Sequence, residues 1–182
     1  MSNKYKIRDN SKLYFVTFTV VKWVEIFNED EFKNIIIESI KFCQKNKNLE
    51  VYGWCIMSNH MHMIIGSNGG NLIKIIGEMK SYTSRSIRKL LESTINDCFD
   101  RSTTQVFYNA GLKNGNNKDW QLWQQHNMPK EIYNVKMFNQ KLNYIHQNPV
   151  KAGYVKNEEE YLYSSAADWH GKKGMIELSY IN

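Results

Sequence analysis

Two pairs of residues stand out by type and spacing. His60 and His62 flank Met61 in the run HMHMIIG at 60–66. In a strand, side chains alternate across the sheet, so both imidazoles point to one face, with Ser58 and Ile64. Met57, Met61, Met63 and Ile65 point to the other face. A rise of about 3.3 Å per residue sets the two histidine backbones ~6–7 Å apart, within reach of one metal ion. Imidazole is a borderline ligand and does not by itself name the metal. The second pair is Tyr144 and Asn148. Four residues turn a helix by about 400°, so phenol and carboxamide share a face, with Met137 and Lys141 on the same stripe. A phenol becomes a nucleophile when its proton is removed or its anion is stabilised. A carboxamide oxygen is a hard ligand that suits Mg²⁺ or Mn²⁺. Taken singly, each pair has an ordinary reading. An H-x-H pair is often two surface histidines, and the chain has eleven tyrosines.

The elements that must position these groups follow from periodicity. Residues 13–21, LYFVTFTVV, are rich in β-branched and aromatic types and predict a strand. Asn28 and Glu31 have capping-box spacing, and Phe32, Ile35, Ile36, Ile40 and Cys43 predict a helix over 30–46, ended by the polar KNKN. Residues 50–57 and 60–66 read as two strands joined by a tight turn at Ser58 and Asn59, or as one long bent strand, and periodicity does not decide between them. Asn71, after Gly69 and Gly70, can cap a helix of about twenty residues marked by Leu72, Ile75, Ile76, Met79, Ile87, Leu90 and Leu91. Residues 94–119 are the least readable part of the chain, and 113–119 read by composition as a surface turn. WQLWQQH at 120–126 predicts a fourth strand. A last helix begins near Asn134, buries Val135, Phe138, Leu142 and Ile145, and is expected to stop at Pro149. The tail is mixed, with a strand-like MIELSYI at 175–181. The order β-α-β-β-α-β-α is an α+β, ferredoxin-like (RRM-like) arrangement. It has a βαββαβ antiparallel sheet and an additional C-terminal helix carrying the tyrosine. In such a fold the helices cover one sheet face and the other can stay open for a ligand.

Bulk properties set the frame. The 182 residues suit one domain, 1–182, with 150–182 as a tail packed on it. A net charge of +6 tilts toward a polyanionic partner without requiring one. Cys43, Cys55 and Cys98 are odd in number and not closely paired, so no disulfide framework is expected and a reducing compartment is the default. No apolar run approaches the ~18 residues of a membrane helix, and MSNKYKIRDN lacks a signal-peptide core. The expectation is a soluble cytoplasmic protein with no membrane partner.

IMSNHMHMII at 56–65 resembles the histidine strand of the single-tyrosine HUH transposases, the IS200-like transposase domain. YIHQNPVKAGYV at 144–155 and YSSAADWHG at 163–171 resemble the tail of the REP-associated tyrosine transposase branch. LYFVTFTVV and KSYTSR at 80–85 also fit. The likeness spans roughly residues 5–175. An H-x-H strand followed about eighty residues later by Y-I-x-x-N-P-V-x-A-G is specific, whereas H-x-H alone is not. Met61 satisfies the hydrophobic middle position of the histidine motif. The 94–119 segment is longer than in many relatives.

The resemblance implies roles. His60 and His62 match the paired metal ligands, and Asn148 stands where the wider family carries a third polar ligand. Tyr144 matches the nucleophile, and Mg²⁺ or Mn²⁺ is the implied metal. The implied reaction is cleavage and rejoining of single-stranded, hairpin-containing DNA through a 5′-phosphotyrosine link. Monomer and homodimer both remain open.

DNA would also have to be held. Lys74, Lys80, Arg85, Arg88 and Lys89 on the 71–92 helix could contact phosphates, or could form an ordinary solvated face. Tyr14, Trp120 and Trp123 could stack on unpaired bases, but rings of this size more often fill the core. A lone His126 could approach the site. Two other functions compete. One is a non-catalytic nucleic-acid-binding module on the same sheet, with exposed aromatics as in RNA-recognition domains. The other is a zinc hydrolase using His60, His62 and a third ligand such as His126 or Cys55.

Overall fold

The computed structural model describes residues 7–94, 101–115, 117–125 and 128–181. The elements in order are β1 (Leu13–Thr19), α1 (Asp30–Lys47), β2 (Leu49–Ile56), β3 (His60–Ser67) and α2 (Leu72–Thr94). They continue with α3 (Arg101–Leu112), β4 (Lys130–Ile132), α4 (Val135–Lys151) and α5 (Ala166–Trp169). The strands form one antiparallel sheet of order β2-β3-β1-β4, the order of a ferredoxin-like fold.

Alternation along the strands divides the core in two. Val16 and Phe18 of β1, Trp54 and Ile56 of β2, and Met61, Met63 and Ile65 of β3 pack under α1 and α2. Phe15, Cys55 and Ile64 face the other way and pack against Phe138, Leu142 and Ile145 of α4. The second face is therefore closed, contrary to the open face that the strand–helix order suggests. The apolar stripe of α4 closes it, and the cost of leaving that stripe in water is the reason.

A bulge in β2 serves this packing. The register steps from Val51↔Ile65 to Gly53↔Ile64, so Tyr52 is the extra residue. A Cβ at Gly53 would lie 2.6 Å from Leu142 Cδ1. The missing side chain lets α4 approach the sheet closely.

Caps follow the sequence in part. Asn71 and Asn134 accept hydrogen bonds from the backbone N–H groups of Lys74 and Met137. At α1 the cap position is Glu29 and no side chain caps it, so the Asn28–Glu31 box does not form.

Three further expectations need correction, and one unassigned stretch holds a helix. The fourth strand is not 120–126. It is the short Lys130–Ile132, paired with Leu13–Phe15. The 122–124 segment instead bonds once on each side of the Val20↔Trp123 bridge, with Leu122 O accepting from Val21 and Gln124 N donating to Thr19. Trp120 and Trp123 are drawn into the core, which breaks the strand.

The 94–119 region contains α3. Its Phe107 packs on Trp120, and Gly111 allows backbone contact with Trp120, where a Cβ would lie 2.1 Å from its nitrogen. The sequence analysis assigns no element to this stretch, and its buried Thr104, Phe107 and Gly111 mark the face that packs inward.

α4 does not stop at Pro149. It runs to Lys151, with Ala152 N bonded to Asn148 O and Tyr154 N to Pro149 O. Proline removes one donor, but downstream bonds and burial of Pro149 hold the last turn. Finally, MIELSYI forms no strand; its one backbone link to the sheet is Ser179 N to Val51 O. The tail pairs with the sheet earlier. Ile56 N donates to Tyr163 O and Ser165 N to Trp54 O, so residues 163–165 cover the free edge of β2.

Candidate active site

β1 and β3 set the histidine pair. Thr19 lies opposite His60 and Thr17 opposite His62, all on the α4 side of the sheet. The two imidazole centroids are 4.8 Å apart. Thr17 Oγ1 is 2.8 Å from His62 Nδ1, and Asn59 Oδ1 is 2.7 Å from His60 Nδ1. In the tautomer where each Nδ1–H donates to its oxygen partner, each Nε2 carries a bare lone pair. Phe15 stacks on His62 at 5.4 Å, and Trp23 meets His60 edge-on at 5.9 Å.

His62 is 5% exposed, and its Nε2 has no hydrogen-bond partner. Burial pushes its pKa down to about 3, helped by the nearby charges of His60 and Lys141. Burial lowers His60 as well. Both rings are therefore held neutral at pH 7, the state in which imidazole ligates.

α4 delivers the phenol. The Tyr144 ring lies 5.1 Å from that of His62 and 5.9 Å from that of Phe15, edge-on to both. It is 42% exposed, so a substrate can reach it. Helix α4 is moored by the tail. Ser165 Oγ is 2.9 Å from His146 Nε2, accepts from Trp54 N at 2.9 Å and donates to Trp54 O at 3.2 Å. His146 and Ser165 are both buried.

The structure thus brings His60, His62 and Tyr144 together. Asn148 lies one helical turn beyond Tyr144, and its amide nitrogen donates to the Tyr144 carbonyl at 2.7 Å. No described contact joins it to the histidines. An orphaned, buried Nε2 beside a second neutral imidazole fits a divalent cation. Among the described residues no three His, Cys, Asp or Glu side chains cluster as a metal site. Cys55 sits opposite His62, but burial pushes its thiol up, away from the thiolate a zinc site needs. His126 lies outside the described residues.

The predicted DNA-binding cations divide. Lys80 and Arg85, with Arg88, line a groove of about 990 Å³ between α2 and the 114–125 segment, facing Lys118, Gln121 and Gln125. Within it, Lys80 donates to Gln124 O, and burial lowers its pKa to about 8. Arg88 is held by Asp119, Glu92 and Tyr108. Lys74 and Lys89 are exposed and outside that groove. Tyr14, Trp120 and Trp123 are buried, so they offer no stacking platform.

The sequence reading missed Thr17, Asn59, Phe15, Gly53 and Ser165. Alternation in LYFVTFT puts Phe15 and Thr17 on one face, but their opposition to His62 depends on register, which alternation leaves open.

The chain is a mixed α/β protein with a four-stranded antiparallel sheet of ferredoxin-like order, in which a helix-borne phenol lies beside paired imidazoles. The chain belongs to the IS200-like transposase family, whose model, "Transposase IS200 like", matches residues 10–111, more than half of its length. That span holds both histidines but not Tyr144 or α4.

Over its whole length the chain is similar in fold to a solved structure described as a REP-associated tyrosine transposase bound to a REP hairpin. The TM-score is 0.62 at 18% identity, and 94% of that chain is covered. A putative transposase from Deinococcus radiodurans R1 is similar over 80% of this chain and 94% of its own, at 14% identity and a TM-score of 0.43. No curated protein is significantly similar in sequence. Among the described residues, no helix is long and apolar enough to cross a membrane.

Proposed function

We propose that this transposase cleaves and rejoins single-stranded, hairpin-containing DNA, with Tyr144 as the nucleophile. The observation that carries the reading is the Tyr144 ring packed 5.1 Å from His62, with a metal-competent imidazole pair beneath it. Tyr144 Oη forms a bond to phosphorus as the bond from phosphorus to the 3′-oxygen breaks. The phenol proton passes to solvent, and the departing 3′-oxygen takes one up. The 5′-phosphate stays on the tyrosine, so a later 3′-hydroxyl can reverse the step and join strands.

His60, His62 and the amide oxygen of Asn148 are the groups that would hold Mg²⁺ or Mn²⁺. Such an ion supplies positive charge to the non-bridging oxygens of the phosphate. Asn148 would join once its amide turned from the Tyr144 carbonyl. Thr17 and Asn59 orient the imidazoles, and Phe15 keeps water from the buried side of His62. The polar groove along α2, with Arg85 and Lys118 at its walls, suits the phosphates of a bound strand.

A non-catalytic binding module on the open sheet is disfavoured, because α4 covers that face and the candidate stacking rings are buried. The test is incubation with a hairpin-bearing single-stranded oligonucleotide and Mn²⁺, followed by a denaturing gel. The wild-type chain is expected to give a covalent protein–DNA band, and Tyr144→Phe none, with hairpin binding retained. An adduct that persists in Tyr144→Phe, or no adduct from wild type, overturns the reading.

A further inference from the structure

Lys141 has no role in the chemistry so far. It lies three residues before Tyr144, on the same helix face. Its Nζ sits 5.0 Å from the centroid of Phe15 and 5.9 Å from that of Tyr144. Among the described residues no carboxylate pairs with it, although six ion pairs form elsewhere.

A second cation stands close by. Lys130 of β4 lies directly opposite Phe15, so it projects to the same sheet face. Lys130 and Lys141 thus flank one phenylalanine, and that phenylalanine stacks on His62. The two charges repel; after burial, Lys130 is the second cause lowering the pKa of Lys141. Like charges held together without a counter-ion, at the rim of a half-open site, lack an anion. Carboxylates on the adjacent elements do not fill the gap. Glu131 lies opposite Tyr14, whose side chain packs on the α1–α2 side of the sheet. Glu50 is engaged with Tyr52 at the far end of β2.

We propose that Lys141 is a further catalytic residue: with Lys130 beside it, its ammonium holds a non-bridging oxygen of the scissile phosphodiester, on the Phe15 side of the Tyr144 ring. The inference rests on the reading of Tyr144 as nucleophile. Lys141 stays protonated throughout. It moves no proton, and it offsets charge on the phosphate as the bond to Tyr144 Oη forms. Lys130 is one step removed and reinforces the field.

The experiment measures the rate of adduct formation at saturating hairpin oligonucleotide and Mn²⁺ for wild type, Lys141→Met, Lys141→Arg and Lys130→Met. Methionine keeps the aliphatic stem against Phe15 and removes only the charge. Lys141→Met is expected to slow the rate about 10²-fold, the scale for losing one preorganised stabiliser of transition-state charge. Hairpin affinity and melting temperature should stay near wild type. Lys141→Arg should recover most of the rate, and Lys130→Met should lose less than Lys141→Met does.

A Lys141→Met rate within threefold of wild type overturns the proposal, and so does an equal loss in Lys141→Arg and Lys141→Met. If wild type forms no adduct, the reading of Tyr144 itself has failed. Should Lys141→Met not fold, Lys141→Gln replaces it, compared with Lys141→Arg in the same way.

Discussion

Replacing Ser165 with alanine tests how the tail holds the helix that carries Tyr144. Ser165 Oγ accepts from the backbone N–H of Trp54, donates to the Trp54 carbonyl and pairs with His146 Nε2. Trp54, His146 and Ser165 are all buried, so water cannot replace the lost partner. Leaving a buried backbone N–H unsatisfied costs roughly 1–3 kcal/mol, and the His146 bond is worth about 1 more. The Trp54 carbonyl still accepts from Ser165 N at 2.9 Å, so it contributes little to the loss. The sum is roughly 2–4 kcal/mol, which in a domain of this size lowers Tm by about 5–15 °C. Two measurements check it. Thermal unfolding of Ser165→Ala should show that drop, and hydrogen exchange should show faster exchange at the Trp54 amide. A Tm within about 1 °C of wild type would refute the claim that this hydroxyl ties β2, the tail and α4 together.

Two more predictions concern the histidines. Thr17→Val removes the hydroxyl that orients His62 while keeping its shape. Titration calorimetry should then show Mn²⁺ affinity weaker by about 10–100-fold, the usual scale for losing an outer-shell partner, and unchanged affinity would count against the Thr17–His62 assignment. His146 bears on acid stability. Burial lowers its pKa from 6.5 to about 4, so between these values the folded state binds fewer protons than the unfolded chain. The stability it contributes is full above pH 6.5, is lost as pH falls toward 4, and does not decline further below that. The whole loss is about 3 kcal/mol. Urea unfolding at pH 7 and pH 4.5 should show wild type losing ~2 kcal/mol more than His146→Gln. Equal losses in the two proteins would mean that His146 titrates normally.

Much of the site was legible in the chain because its signals are local. Strand alternation places His60 and His62 on one face whatever the strand pairs with. Helical periodicity places Tyr144, Lys141 and Asn148 on one stripe. The motifs around them resemble the family whose model matches the chain. The strand–helix order suffices for a ferredoxin-like sheet. Thr17, by contrast, gains its place beside His62 only through strand register, which no single strand encodes. Lys141 and Lys130, eleven residues apart, become neighbours only when β4 pairs with β1 and α4 folds back over the same face. Burial decides the rest. Trp120 and Trp123 look like a strand, yet the core takes them and β4 forms later. Periodicity reports which face a residue occupies. Which partner that face meets, and whether water is excluded there, is settled by contacts between segments far apart in the chain.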